Sequence, residues 1–91
     1  MAFTIKDNII ESYEGRDYEL TLPEHITEIG SWAFRGKKLL QSIQLGSNLI
    51  KIGSSAFSGC ESLKIIEMPE SVTDIGNSCF YGCTIHTSDI Y

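Results

Sequence analysis

The chain is poor in several residue types, and each shortage excludes a class of protein. Its 91 residues hold one tryptophan, two prolines and three cysteines. The odd cysteine count, with Cys60 and Cys83 spaced like the repeat described below, argues against a secreted disulfide framework. Basic residues are also few. Seven Lys and Arg against twelve Asp and Glu give a formal charge of −5. Lys37-Lys38 is the only adjacent basic pair, so no basic stripe awaits nucleic acid or an anionic membrane. No apolar run reaches the roughly 18 residues of a membrane span. Residues 1–7 lack a basic leader followed by an apolar core, unlike a signal peptide. Asn8, Asn48 and Asn77 lack Ser or Thr two residues on, so no N-glycosylation acceptor is present. As a complete protein the chain is expected in the cytoplasm. As an excerpt of a longer one, the cell surface or secretion is expected.

What the chain has instead is a repeat. Ile29-Gly30, Ile52-Gly53 and Ile75-Gly76 follow one another at 23-residue intervals. Ala33-Phe34, Ala56-Phe57 and Cys79-Phe80 do the same, as do Gly36, Gly59 and Gly82. Further columns are Leu20/Ile43/Ile66, Leu22/Leu45/Met68 and Ile26/Leu49/Val72. Self-similarity at such a period marks a solenoid, whose copies bury their apolar faces only against each other. The expected fold is an α/β solenoid in one domain over residues 1–91. It divides into a cap (1–19), three repeats (20–42, 43–65, 66–83) and a tail (84–91).

Within one copy the apolar spacing changes character. Ile43 and Leu45 alternate like a strand with one buried face. Pro23, Gly46 and Pro69 end that strand. Residues 49–52 form a short second extended piece. Gly53 is read as permitting a sharp bend. Residues 54–58 are read as one helical turn with Ser as N-cap, closed by Gly59 at the C′ position. Stacking predicts a parallel sheet of main strands, an aliphatic column of Ile and an aromatic ladder of Phe34, Phe57 and Phe80.

Residues 2–19 do not repeat. Residues 3–5 and 9–13 read as two strands joined at Asp7-Asn8, giving an N-terminal β-hairpin cap, with residues 14–17 as a second turn. The tail offers Ile85, Ile90 and Tyr91 to the last copy. An end layer covered so thinly invites pairing with another chain.

The recurring string Leu-Pro-x-x-Ile/Val-Thr-x-Ile-Gly-x-x-Ala/Cys-Phe-x-Gly-Cys-x-x-Leu-x-x-Ile resembles the BspA-like (Treponema pallidum type) leucine-rich repeat. Residues 22–30 and 68–76 carry it best, and Cys60 and Cys83 fill its Cys position. The sequence departs from it at Lys37 in place of Cys, at Gly46 in place of Pro, and after Cys83. The resemblance implies a short leucine-rich-repeat horseshoe with the main strands on its concave side. It also implies a link to adhesion and protein binding, since such proteins are mostly long and secreted or surface-attached.

Catalytic and metal readings are weaker than structural ones. Gly30 to Gly36-Lys37-Lys38 superficially suggests a phosphate loop, but its glycine spacing is one residue too long and Lys38 replaces the magnesium-binding hydroxyl. Cys79, Cys83 and His86, with Cys60, have spacings open to zinc. Cys79 nevertheless replaces a small core Ala, and free Cys behaves as a small buried hydrophobe. A Cys60–Cys83 disulfide is a further reading, also set below packing. Residues 53–59 have the letters but not the spacing of a nucleophile elbow. His25 has no Ser or Cys partner and reads as a solvated turn residue. Trp32 replaces Ser55 and Ser78. It is expected to pack against the hairpin, with a contact hot spot as the other reading.

The expected function is a non-catalytic protein–protein interaction module without cofactor or metal, and without nucleic acid or a membrane span. Its contact surface is the outward row Thr21, Gln44, Glu67 and the adjacent row Glu19, Ser42, Ile65. The chain is read as part of, or derived from, a bacterial surface adhesin. The alternative is a structural unit that self-associates through its C-terminal end layer.

Overall fold

Eight short strands follow the chain: β1 (Phe3–Lys6), β2 (Ile9–Tyr13), β3 (Glu19–Thr21), β4 (Glu28–Ile29), β5 (Ser42–Gln44), β6 (Lys51–Ile52), β7 (Ile65–Glu67) and β8 (Asp74–Ile75). The computed structural model describes residues 3–84. The tail readings at Ile85, His86, Ile90 and Tyr91 lie outside the described residues.

The main strands form a parallel sheet in the order β3-β5-β7. Glu19 pairs with Ser42 and Ser42 with Ile65; Leu20, Ile43 and Ile66 align; Thr21, Gln44 and Glu67 align. The short strands form a second sheet, β1-β2-β4-β6-β8. The hairpin belongs to it. Its turn places Asp7 and Asn8 at φ 53° and 65°, the left-handed pair of a type I′ turn, which matches the twist of the flanking strands. β2 then runs parallel to β4, with Ile9 beside Glu28 and Ile10 beside Ile29. The cap thus stands in for one lap's short strand.

The core is a set of columns between the two sheets. Phe34 and Phe57 stack with ring centroids 5.1 Å apart, and Phe57 and Phe80 with 5.6 Å. The ladder extends into the cap, where Tyr13 lies 5.4 Å from Phe34 and Phe3 lies 5.3 Å from Tyr13. Tyr13 occupies the Phe position down to its backbone. Its N–H donates to the Ala33 carbonyl as Phe34 donates to Ala56 and Phe57 to Cys79.

Two local expectations are corrected. No helix forms among the described residues, and the expected helical turn is a series of β-turns. In a helix the N–H groups would turn back within the segment. Here only alternate N–H groups do so, as in Ala33 to Gly30 and Arg35 to Trp32, while Trp32, Phe34 and Gly36 donate to Ser54, Ala56 and Ser58 of the next lap, and Ser55, Phe57 and Gly59 donate to Asn77, Cys79 and Tyr81. The turns are thereby a third ladder, and Trp32, Ser55 and Ser78 take left-handed φ of 66°, 56° and 56°. The second correction concerns Gly53. It has no left-handed φ; a Cβ there would lie 2.5 Å from the Ser31 nitrogen of the preceding lap. Close approach of successive laps, rather than a bend, demands the Ile-Gly pair. Gly59, at φ 78°, does take the left-handed conformation read for it.

Candidate functional site

β-Strand alternation decides what the main sheet displays. Leu20, Ile43 and Ile66 turn inward, and Ile43 and Ile66 are buried. Glu19, Thr21, Gln44 and Glu67 are therefore exposed, with Ser42 half-buried. The register brings the two expected rows together as rows. Ser42, Gln44 and Glu67, with Ile43 and Leu45, line a shallow groove of about 300 Å³. Thr21 Oγ1 donates to Gln44 Oε1 at 3.4 Å, a weak link that leaves the Gln44 amide group available. Glu19 lies at the β3 end of its row. Ile65 aligns with Ser42 through the backbone. The face is polar and acidic and offers amide, hydroxyl and carboxylate groups.

The other candidates fall into place around this face. The glycine N–H groups of the phosphate-loop reading are already committed: Gly30 donates to Ile10 at 2.8 Å and Gly36 to Ser58 at 2.8 Å. Among the described residues no three His, Cys, Asp or Glu side chains converge as a metal site would require. Cys60, Cys79 and Cys83 are free thiols. Cys60 Sγ donates to the Phe34 carbonyl at 3.0 Å and Cys83 Sγ to the Phe57 carbonyl at 3.1 Å, so this column serves the stack as small, hydrogen-bonded core. Contact with the Cys83 sulfur, and then burial, push the Cys60 thiol far above its ordinary range. The same contact holds the half-buried Cys83 below that range. Burial pushes Cys79 up to about 12. His25 is exposed in the turn after β3.

Trp32 does not pack beneath the hairpin as expected. It is 54% exposed, with the Arg35 guanidinium 4.9 Å over its ring. Its left-handed backbone is shared by Ser55 and Ser78, which hold the same position in the later laps. A second surface has almost no signature in the sequence. A groove of about 480 Å³ lies between residues 15–17 of the cap and 36–40 of the first lap. Its one legible sign was Lys37 standing where the repeat has Cys.

Parallel ladders in both sheets, joined by stacked turns in laps of 23 residues, define a leucine-rich-repeat solenoid. Residues 4–90 match the BspA type leucine rich repeat region (6 copies), and the chain belongs to that family. Among solved structures it is similar to a leucine rich cell surface protein from Faecalibacterium prausnitzii, with a TM-score of 0.75 and 26% identity. The likeness covers 92% of this chain and 27% of that one, so the chain spans little more than a quarter of its structural relative. No curated protein matches the chain. Among the described residues no helix is long and apolar enough to cross a membrane.

Proposed function

We propose that the chain is a non-catalytic protein-binding module of the kind that cell-surface proteins array in series. The in-register rows on the main sheet carry this reading. Thr21, Gln44 and Glu67 form one exposed row, with Glu19 exposed and Ser42 half-buried beside it, and Ile65 pairs with Ser42 through the backbone. The likeness to a surface protein several times longer supports an adhesin context. In such an array further laps would extend the same rows, and a gentle rotation per lap would curve them into a horseshoe. The test is partner capture by immobilised chain before and after Gln44→Lys with Glu67→Lys. Capture should fall while the melting temperature holds. Undiminished capture would place the contact elsewhere.

A second reading, self-association, rests on the third lap. Val72, Ile75 and Phe80 are only half-buried, and β7 and β8 end their sheets among the described residues. Another copy could continue both ladders there. Sedimentation equilibrium across a hundredfold concentration range, about 5 μM to 500 μM, decides this reading, since an interface must show itself by mass action. A monomer throughout removes it.

A further inference from the structure

We propose that the groove between the cap and the first lap binds a short acidic peptide segment through its carboxylates. This rests on the protein-binding reading but names a different surface and the chemistry of what it takes. Arg16 from the cap and Lys37 and Lys38 from the first lap line the groove, so it gathers three of the chain's seven cations. Asp17 is the one acidic group in the lining, and it accepts a hydrogen bond from the Tyr13 hydroxyl. The groove therefore carries a net charge of +2 in a chain of net charge −5. Such a local inversion of sign steers an anion to one place.

The inversion is confined to the first lap. Where it has Lys37, Lys38 and Leu39, the second has Cys60, Glu61 and Ser62. Lys37 gives up the buried Cys of the column. Its ammonium instead stands 5.7 Å from the Tyr13 ring centroid, and its stem is half-buried. The aromatic face holds the cation at the groove instead of letting it range through solvent. Leu39, 44% exposed in the same lining, adds an apolar contact that an inorganic ion would not use.

Size and charge select the ligand class. At about 480 Å³ and open to solvent, the groove far exceeds one phosphate. Its cations sit on two separate loops and suit several carboxylates along an extended segment. A long polyanion such as nucleic acid would run past the groove onto an acidic surface and be repelled there. A short acidic peptide would not.

A fluorescein-labelled hexaglutamate peptide tests the proposal by anisotropy on the full chain. Binding should weaken as salt rises. Arg16→Glu with Lys38→Glu should weaken it about tenfold or more, from two reversed charge contacts. Lys51→Glu with Lys64→Glu makes the same change in net charge away from the groove, and should leave affinity within about twofold. Amide shift mapping on the unaltered chain provides a readout that no variant's folding can spoil, and should mark residues 15–17 and 36–40. No binding, equal losses in both double variants, or shifts elsewhere would overturn the proposal. So would tighter binding of a twelve-nucleotide single strand. Gln44→Lys with Glu67→Lys should leave hexaglutamate binding in place, so failure of the sheet face and failure of the groove read out separately.

Discussion

The N-terminal and C-terminal ends of the stack meet the same problem with different residues. At the first end, Ile10 and Tyr13 of the hairpin occupy the Ile and Phe columns, and Ile29 and Phe34 behind them are completely buried. At the other end, Ile75 and Phe80 hold the same columns but are only half-buried. Residues identical in sequence are therefore not equal in energy. In a solenoid each side chain is buried by the lap on either side, so its worth depends on its neighbours more than on its type.

The sharpest way to break this comparison is to remove one ring at a time. Phe57→Ala should cost about 3–5 kcal/mol in urea denaturation, because both faces of the ring lose a partner. Phe80→Ala should cost roughly half as much. Equal losses would mean that the third lap is as well covered as the second.

The glycines come next. Gly53→Ala places a Cβ 2.5 Å from backbone of the preceding lap and should cost about 1–3 kcal/mol, since backbone must move. Gly36→Ala meets nothing within 4 Å and bears only the left-handed strain of φ 71°, about 1–2 kcal/mol. Reversal of that order would show that conformation, rather than contact between laps, selects the Ile-Gly pair.

Tyr13→Phe probes the cap with a smaller change. The ring stack survives, the bond to Asp17 is lost, and stability should fall by about 0.5–1.5 kcal/mol. Burial, reinforced by the Asp17 carboxylate, raises the Tyr13 hydroxyl above its ordinary value of 10.0. The folded chain thus holds that proton longer than the unfolded one. The contribution is complete below pH 10.0 and disappears as pH rises through the higher folded value. Tyr13→Phe should flatten this part of the alkaline loss.

Cys79→Ala should have the smallest effect at neutral pH, under about 1 kcal/mol, since Ala33 and Ala56 hold the same column. Its signature is in the pH dependence. With the thiol raised from 9.0 to about 12, the stability tied to its proton is intact below pH 9.0 and is lost between those values. The urea midpoint should fall less in Cys79→Ala than in the unaltered chain between about pH 8 and about pH 10.5.

Much of the fold was legible because a repeat writes each structural requirement three times. The pairing Glu19–Ser42–Ile65 and Thr21–Gln44–Glu67 follows from counting 23 residues, and the structure has that register. Asp7-Asn8 was legible for another reason, since few residue pairs take two successive left-handed conformations. The turns were not legible. The span 54–58 has helix-compatible residues and a capping Ser, but the N–H groups of Ser55 and Phe57 find carbonyls in the next lap, and no local signal discloses that competition. The exposure of Trp32 was not legible, because its column holds both a buried Ser55 and an exposed Ser78, so the repeat position alone does not fix burial. The basic groove was hidden because Arg16 and Lys38 are far apart in the chain and lie outside the repeat's columns.

The sequence by itself determined the period, the inward columns and the strand register, because apolar burial must recur wherever a lap recurs. Only the tertiary structure decided that the hairpin would supply the missing first lap's short strand, that turns would replace helices, and that cations from cap and first lap would share one groove. Those outcomes depend on which backbone groups and charges lie beside each other in space. Hydrogen bonds and Coulomb forces act across a few ångströms regardless of how many residues of chain lie between.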